Sequence, residues 1–137
     1  MTANDDQLQD ASDSNAIVRI RANAESVVHA LASQTQFEFG FDSRSVEWLD
    51  GYINRMRSNT WSDNELGQLV SNLGSYLGEA MIGAVGGEWA QDEHGWHIRW
   101  DERNRAYPFA KVAKQFENGP EDSIYSFYSV TRVLRRS

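Results

Sequence analysis

Residues 88–101 read Glu88-Trp89-Ala90-Gln91-Asp92-Glu93-His94-Gly95-Trp96-His97-Ile98-Arg99-Trp100-Asp101. Trp96, Ile98 and Trp100 recur at every second position, which is the period of a strand, whereas the apolar residues before this stretch recur at helical steps. The spacing predicts a hairpin, Trp89 to Glu93 and Trp96 to Asp101, turning at His94-Gly95. Glycine at the second turn position suits a type I′ turn, and histidine tolerates positive φ better than most residues. This register pairs Glu93 with Trp96, Gln91 with Ile98 and Trp89 with Trp100 on one face. Asp92 with His97, and Ala90 with Arg99, fall on the other. The tryptophan face is expected to pack on helices, leaving the polar face in solvent. A lone hairpin is only marginally stable, so a third strand around Arg105 to Phe109 is expected to complete a small antiparallel sheet.

Upstream lies the strongest helix signal in the chain. Ser62-x-x-Glu65 is a capping box, and Leu66, Leu69, Val70, Leu73, Leu77, Ala80, Met81 and Ala84 form a broad apolar stripe behind it. Gly74 and Gly78, four residues apart, make a flat strip on that helix, suited to close approach of another element. Gly86-Gly87 ends it. Before it, Val46, Leu49, Ile53 and Met56 mark a second helix capped by Asp42 or Ser43. Ile17, Ile20, Ala24, Val27 and Leu31 mark a first, with Asp13 or Ser14 as its cap. A rival arrangement makes Ile17 to Ile20 a short strand. The alternation in Gln36 to Phe41 suits a connection or a short edge strand. Residues 1–14 carry almost no large apolar side chains and read as a flexible acidic tail.

Beyond the sheet, Phe109, Val112 and Phe116 share a helix face, and Asn118-Gly119 breaks that helix. Pro120 is placed to open the last one, with Glu121 and Asp122 near its start. Ile124, Phe127, Tyr128 and Leu134 form its stripe, and Arg132, Arg135 and Arg136 sit at its negative end. The whole reads as one α+β domain over residues 15–137: a three-stranded antiparallel sheet packed on a long central helix, flanked by N- and C-terminal helices.

Composition narrows the function. The chain has 137 residues, no cysteine and a formal net charge of −7. Disulfides, thiol chemistry and cysteine-ligated zinc are excluded. An acidic balance argues against a general nucleic-acid binder. No apolar run approaches the roughly 20 residues that span a bilayer, and no secretory signal pattern opens the chain, so the cytoplasm is the expected location.

The densest polar cluster is Asp92, Glu93, His94, His97 and Arg99. It has no recognised metal-ligand spacing, so neither a metal nor a cofactor is expected. The catalytic candidates are Glu79, in the helix expected to be most buried, and Asp92 with His97. Each has a structural alternative: Glu79 in an ion pair with Lys111, Lys114 or an arginine, Asp92 with His97 as a cross-strand pair. Ser75 in Leu73-Gly74-Ser75-Tyr76-Leu77-Gly78 lies mid-helix, not on a nucleophile elbow. The binding surface is expected at Glu93, His94, Trp96, His97 and Arg99, since interfaces favour tryptophan and arginine.

The pieces Leu73-Gly74-Ser75-Tyr76-Leu77-Gly78-Glu79, Gly86-Gly87-Glu88-Trp89, Tyr107-Pro108-Phe109-Ala110-Lys111-Val112 and Phe116-Glu117-Asn118-Gly119-Pro120-Glu121-Asp122-Ser123-Ile124 together resemble a family of small bacterial domains of unknown function (domain of unknown function family 3806). Ser45-Val46-Glu47-Trp48-Leu49-Asp50 is similar to its early helix. The resemblance implies a bacterial protein and carries no cofactor or catalytic residue. Related patterns also resemble some toxin-neutralising immunity proteins. The expectation is a non-catalytic module that binds a protein partner, with an immunity protein, a small hydrolase, or a ligand pocket between sheet and helices as alternatives.

Overall fold

The structure is a computed structural model that describes the backbone of residues 5–136 and the side chains of residues 11–135. In chain order the elements are α1 (Asp5–Ala32), α2 (Ser43–Met56), α3 (Asp63–Val85), β1 (Glu88–Asp92), β2 (Gly95–Arg99), β3 (Arg105–Ala106), α4 (Pro108–Asn118) and α5 (Ile124–Arg136). The architecture is α+β, with one antiparallel sheet ordered β1-β2-β3.

α3 is the axis of the fold. Leu73, Gly74, Ser75, Tyr76, Leu77 and Gly78 are all buried, so this stretch is covered on every side. α1, α4 and α5 pack around it. The two glycines explain how the neighbours come so close. A Cβ on Gly74 would lie 2.9 Å from Phe109 Cα, and a Cβ on Gly78 would collide with the Trp89 ring. The capping box forms as the sequence requires: the Glu65 N–H donates to Ser62 Oγ, and the Ser62 N–H donates to Glu65 Oε1, each at 3.1 Å.

The helical termini depart from the sequence reading in three places. α1 begins at Asp5, within the stretch expected to be an acidic tail, so Asp13 and Ser14 lie inside the helix and not at its start. No proline or glycine interrupts residues 5–32, and the acidic residues at its start suit the positive end of the helix dipole. Residues 1–4 of the expected tail lie outside the described residues. Pro120 belongs to a 3₁₀ turn, Gly119–Asp122, and α5 starts only at Ile124. On α5, Ile124 and Tyr128 are buried as expected, but Leu134 is 68% exposed. Residues 36–41 form a connection, not a strand, with Phe39 turned into the core.

The hairpin forms in a different register. Trp89 pairs with Ile98, Ala90 with His97, Gln91 with Trp96 and Asp92 with Gly95. The turn residues are therefore Glu93 and His94, and neither has positive φ, which excludes a type I′ turn. Asp92 decides this. Its Oδ1 accepts the His94 N–H at 2.8 Å, closing an Asx turn, and Gly95 at φ +102° absorbs the reversal into β2. The displacement is by two residues in the pairing sum, so each side chain keeps its expected face. Trp100 leaves the sheet, and its indole N–H donates to the Gly86 carbonyl at 3.0 Å, at the end of α3.

Candidate functional site

Two of the expected catalytic groups meet, on the sheet face opposite Trp89 and Ile98. His97 Nδ1 lies 3.7 Å from Asp92 Oδ2. The expectation that this face is solvated is overturned: His97 is 2% exposed. The reason lies just past β3. Tyr107 lays its ring on the imidazole, with centroids 5.1 Å apart, and donates its hydroxyl to Asp92 Oδ2 at 3.0 Å. Arg105, from β3, reaches the same oxygen at 2.9 Å. Asp92 thereby ties the turn, β2 and β3 together. Burial is the largest single influence on its carboxyl and pushes the pKa up. The His94 N–H, the Tyr107 hydroxyl, His97 and Arg105 outweigh it together and hold the pKa below the ordinary 3.8.

Glu79 is also committed. Its Oε2 accepts the Trp89 indole N–H at 3.0 Å, and its Oε1 lies 3.8 Å from Arg21 Nε. The carboxylate thus joins α3 to β1 and α1, and its cation is Arg21 rather than Lys111 or Lys114. Lys111 pairs with Asp122 at 3.1 Å. Ser75 is buried, and its hydroxyl donates to the Ser71 carbonyl at 2.7 Å, as a mid-helix serine commonly does.

Open space lies beside these groups. A cleft of about 380 Å³ is bounded by α1, α3, α4 and the hairpin tip. Arg19 and Asn23 enter it from α1, Ser71 from α3, and His94 and Trp96 from the hairpin. Ile20 and Phe109 supply apolar wall. None of Glu79, Asp92 and His97 lines it. The side chains of Arg19, Asn23 and Trp96 make no hydrogen bond among the described residues, so the cleft wall carries polar groups open to a ligand.

Of the expected binding surface, His94 and Trp96 therefore line the cleft. Glu93 stands at the turn with its side chain 85% exposed, 3.5 Å from His94. His97 is buried behind Tyr107, which corrects its assignment to the surface. Arg99 pairs in register with Glu88 on one side and Arg105 on the other, away from the cleft. The sequence reading missed Arg19, Asn23 and Tyr107. Ala16, Arg19, Ile20 and Asn23 follow the i, i+3, i+4, i+7 pattern of one helix face, so the signal was there: polar residues inside an apolar stripe.

A second polar cluster is structural. Gln115, fully buried, donates to the Asp50 carbonyl and to Asn54 Oδ1, both at 3.1 Å, and accepts the Ile124 N–H at 2.8 Å. Asp50 accepts the Ser123 hydroxyl and the Tyr125 N–H. Arg57 donates to the carbonyls of Phe116 and Glu117 at the end of α4. These bonds lock α2, α4 and α5 together.

Among the described residues no three His, Asp or Glu side chains converge to hold a metal ion, and no helix is long and apolar enough to cross a membrane. No family model matches the chain, and no match is found among curated proteins or solved structures.

Proposed function

We propose that this protein is a non-catalytic binding module, and that the cleft between α1, α3, α4 and the hairpin tip receives a protein partner. One observation carries the reading. Glu79, Asp92 and His97, the three side chains marked as catalytic candidates, are spent on internal contacts, while Arg19, Asn23 and Trp96, whose side chains bond no other described residue, line the cleft. A general acid or base must reach the proton it transfers. Glu79, Asp92 and His97 line no part of the cleft, and the imidazole that does, His94 at the exposed hairpin tip, has no carboxylate on the cleft wall to work with. Trp96 and Arg19 are the residue types that anchor interfaces.

Photo-cross-linking in the encoding organism tests this. A photo-reactive phenylalanine analogue replaces His94, at the cleft rim, or Glu47, exposed on α2. A discrete protein adduct from position 94 and none from position 47 supports the proposal. No adduct from position 94, or equal adducts from both, overturns it.

A further inference from the structure

A second surface has the opposite electrical character to the chain as a whole. Two adjoining clefts of about 190 and 210 Å³ share Arg105, Ala106 and Phe127, and together form one groove along β3, an edge strand of the sheet. Five cations line it: Arg103, Arg105, Lys111, Lys114 and Arg135. No carboxylate does, in a chain of net charge −7. Two of these cations are already paired at the groove's edge, Arg105 with Asp92 and Lys111 with Asp122, so the charge open to a ligand rests on Arg103, Lys114 and Arg135. Asp101 accepts the backbone N–H groups of Arg103 and Asn104. The floor is apolar and aromatic. Lys111 Nζ sits 5.9 Å from the Phe127 ring centre, and the Arg135 guanidinium 5.1 Å from that of Trp100. Leu134, 68% exposed, stands at one wall.

We propose that this groove binds an acidic peptide segment whose carboxylates meet the cationic walls and whose apolar side chains rest on Phe127 and Leu134. Charge complementarity selects an anion. The apolar floor and the short groove select amino-acid side chains over a polyphosphate backbone. A long nucleic acid would also extend past the five cations and meet the net negative field of the molecule. The groove adjoins the first cleft, sharing Tyr107 and Ala110 with it, but none of its five cations lines that cleft, so different side chains test the two proposals.

The test is fluorescence anisotropy with a labelled alternating glutamate–leucine peptide of about 12 residues, long enough to span the groove at roughly 3.3 Å per residue. Arg103 and Lys114 are exposed, and the hydrogen bond that Arg103 makes to Asp101 uses its backbone N–H, so reversing both charges leaves the fold intact. An unchanged melting temperature checks this. The expected result is saturable binding that Arg103→Glu with Lys114→Glu weakens about tenfold or more, while Trp96→Ala leaves it unchanged. Raising salt from ~0.1 M to ~1 M, which shortens the screening length from about 10 to about 3 Å, weakens it too. Absence of binding, affinity in the double variant within about twofold of the parent, or tighter binding of a labelled oligouridylate than of the peptide overturns the proposal.

Discussion

The benzo ring of Trp89 occupies the space that a side chain on Gly78 would need. The same indole donates to Glu79, the next residue of α3, so one tryptophan fixes the sheet to the helix by shape and by hydrogen bond. Gly78→Ala is expected to destabilise the protein by about 1–3 kcal/mol, since overpacking outweighs the gain in helix propensity. Gly67→Ala is the internal control. It lies in the same helix with nothing near its Cβ position, and is expected to stabilise by up to about 1 kcal/mol. Urea unfolding of the two variants measures both signs.

Acid is expected to loosen the hairpin through Asp92. Its folded pKa lies below 3.8. A depressed carboxylate contributes stability that is present above the unfolded value and lost as pH falls through the folded one. Wild-type melting temperature should therefore drop as pH falls from about 4 to about 2, and Asp92→Asn should show a shallower drop over the same window. Parallel curves would mean that Asp92 contributes nothing to the acid limb.

Alkali acts through Tyr76. Burial, then the nearby Asp42 carboxylate, pushes this phenol far above its ordinary 10.0. Its hydroxyl donates to the Gly40 carbonyl at 2.6 Å. A group that stays protonated in the folded state stabilises fully below the unfolded pKa and loses that contribution above it. Stability should fall above pH 10.0 by up to about 1.4 kcal/mol per pH unit from this group alone. Tyr76→Phe should lack that component and cost about 1–3 kcal/mol at neutral pH, because the Gly40 carbonyl loses its partner. Denaturant titrations at pH 7 and above pH 10 separate the two effects.

Gln115 is expected to be among the least replaceable side chains outside the apolar core. Gln115→Leu keeps approximate volume but strands the Ile124 N–H and takes one partner each from the Asp50 carbonyl and Asn54 Oδ1. A loss of about 2–4 kcal/mol is expected in chemical unfolding, whereas Lys114→Ala, one residue away and exposed, should stay within about 0.5 kcal/mol of the parent.

Local signals carried most of the fold. The Ser62–Glu65 box, the Gly74 and Gly78 notches and the stripes of α2 and α3 depend on residues a few positions apart, and each is visible in the chain. The hairpin register was misread because one carboxylate, Asp92, captured the His94 N–H and moved the turn by one residue. The fate of His97 was harder to see. Its face was legible from parity, but its burial depends on Tyr107, brought back by β3 from ten residues away. The Asp50–Gln115–Ser123 junction joins residues up to 73 apart in sequence, and no local pattern announces it. For the site, His94 and Trp96 were legible as tip residues. For Arg19 and Asn23 the shared helix face was legible from their spacing, but that this flank faces a cleft was not, because that is decided by what packs beside it.

The central claim is a division of labour: Glu79, Asp92 and His97 hold the fold, and the cleft beside them binds. The most direct measurement is retention of a partner from the encoding organism by the immobilised chain, compared across variants that remain folded. The account predicts that Arg19→Glu with Trp96→Ala abolishes retention, while Glu79→Gln and Asp92→Asn lower melting temperature yet keep it. Retention indifferent to Arg19 and Trp96, or substrate turnover that disappears in Glu79→Gln or Asp92→Asn, would contradict it.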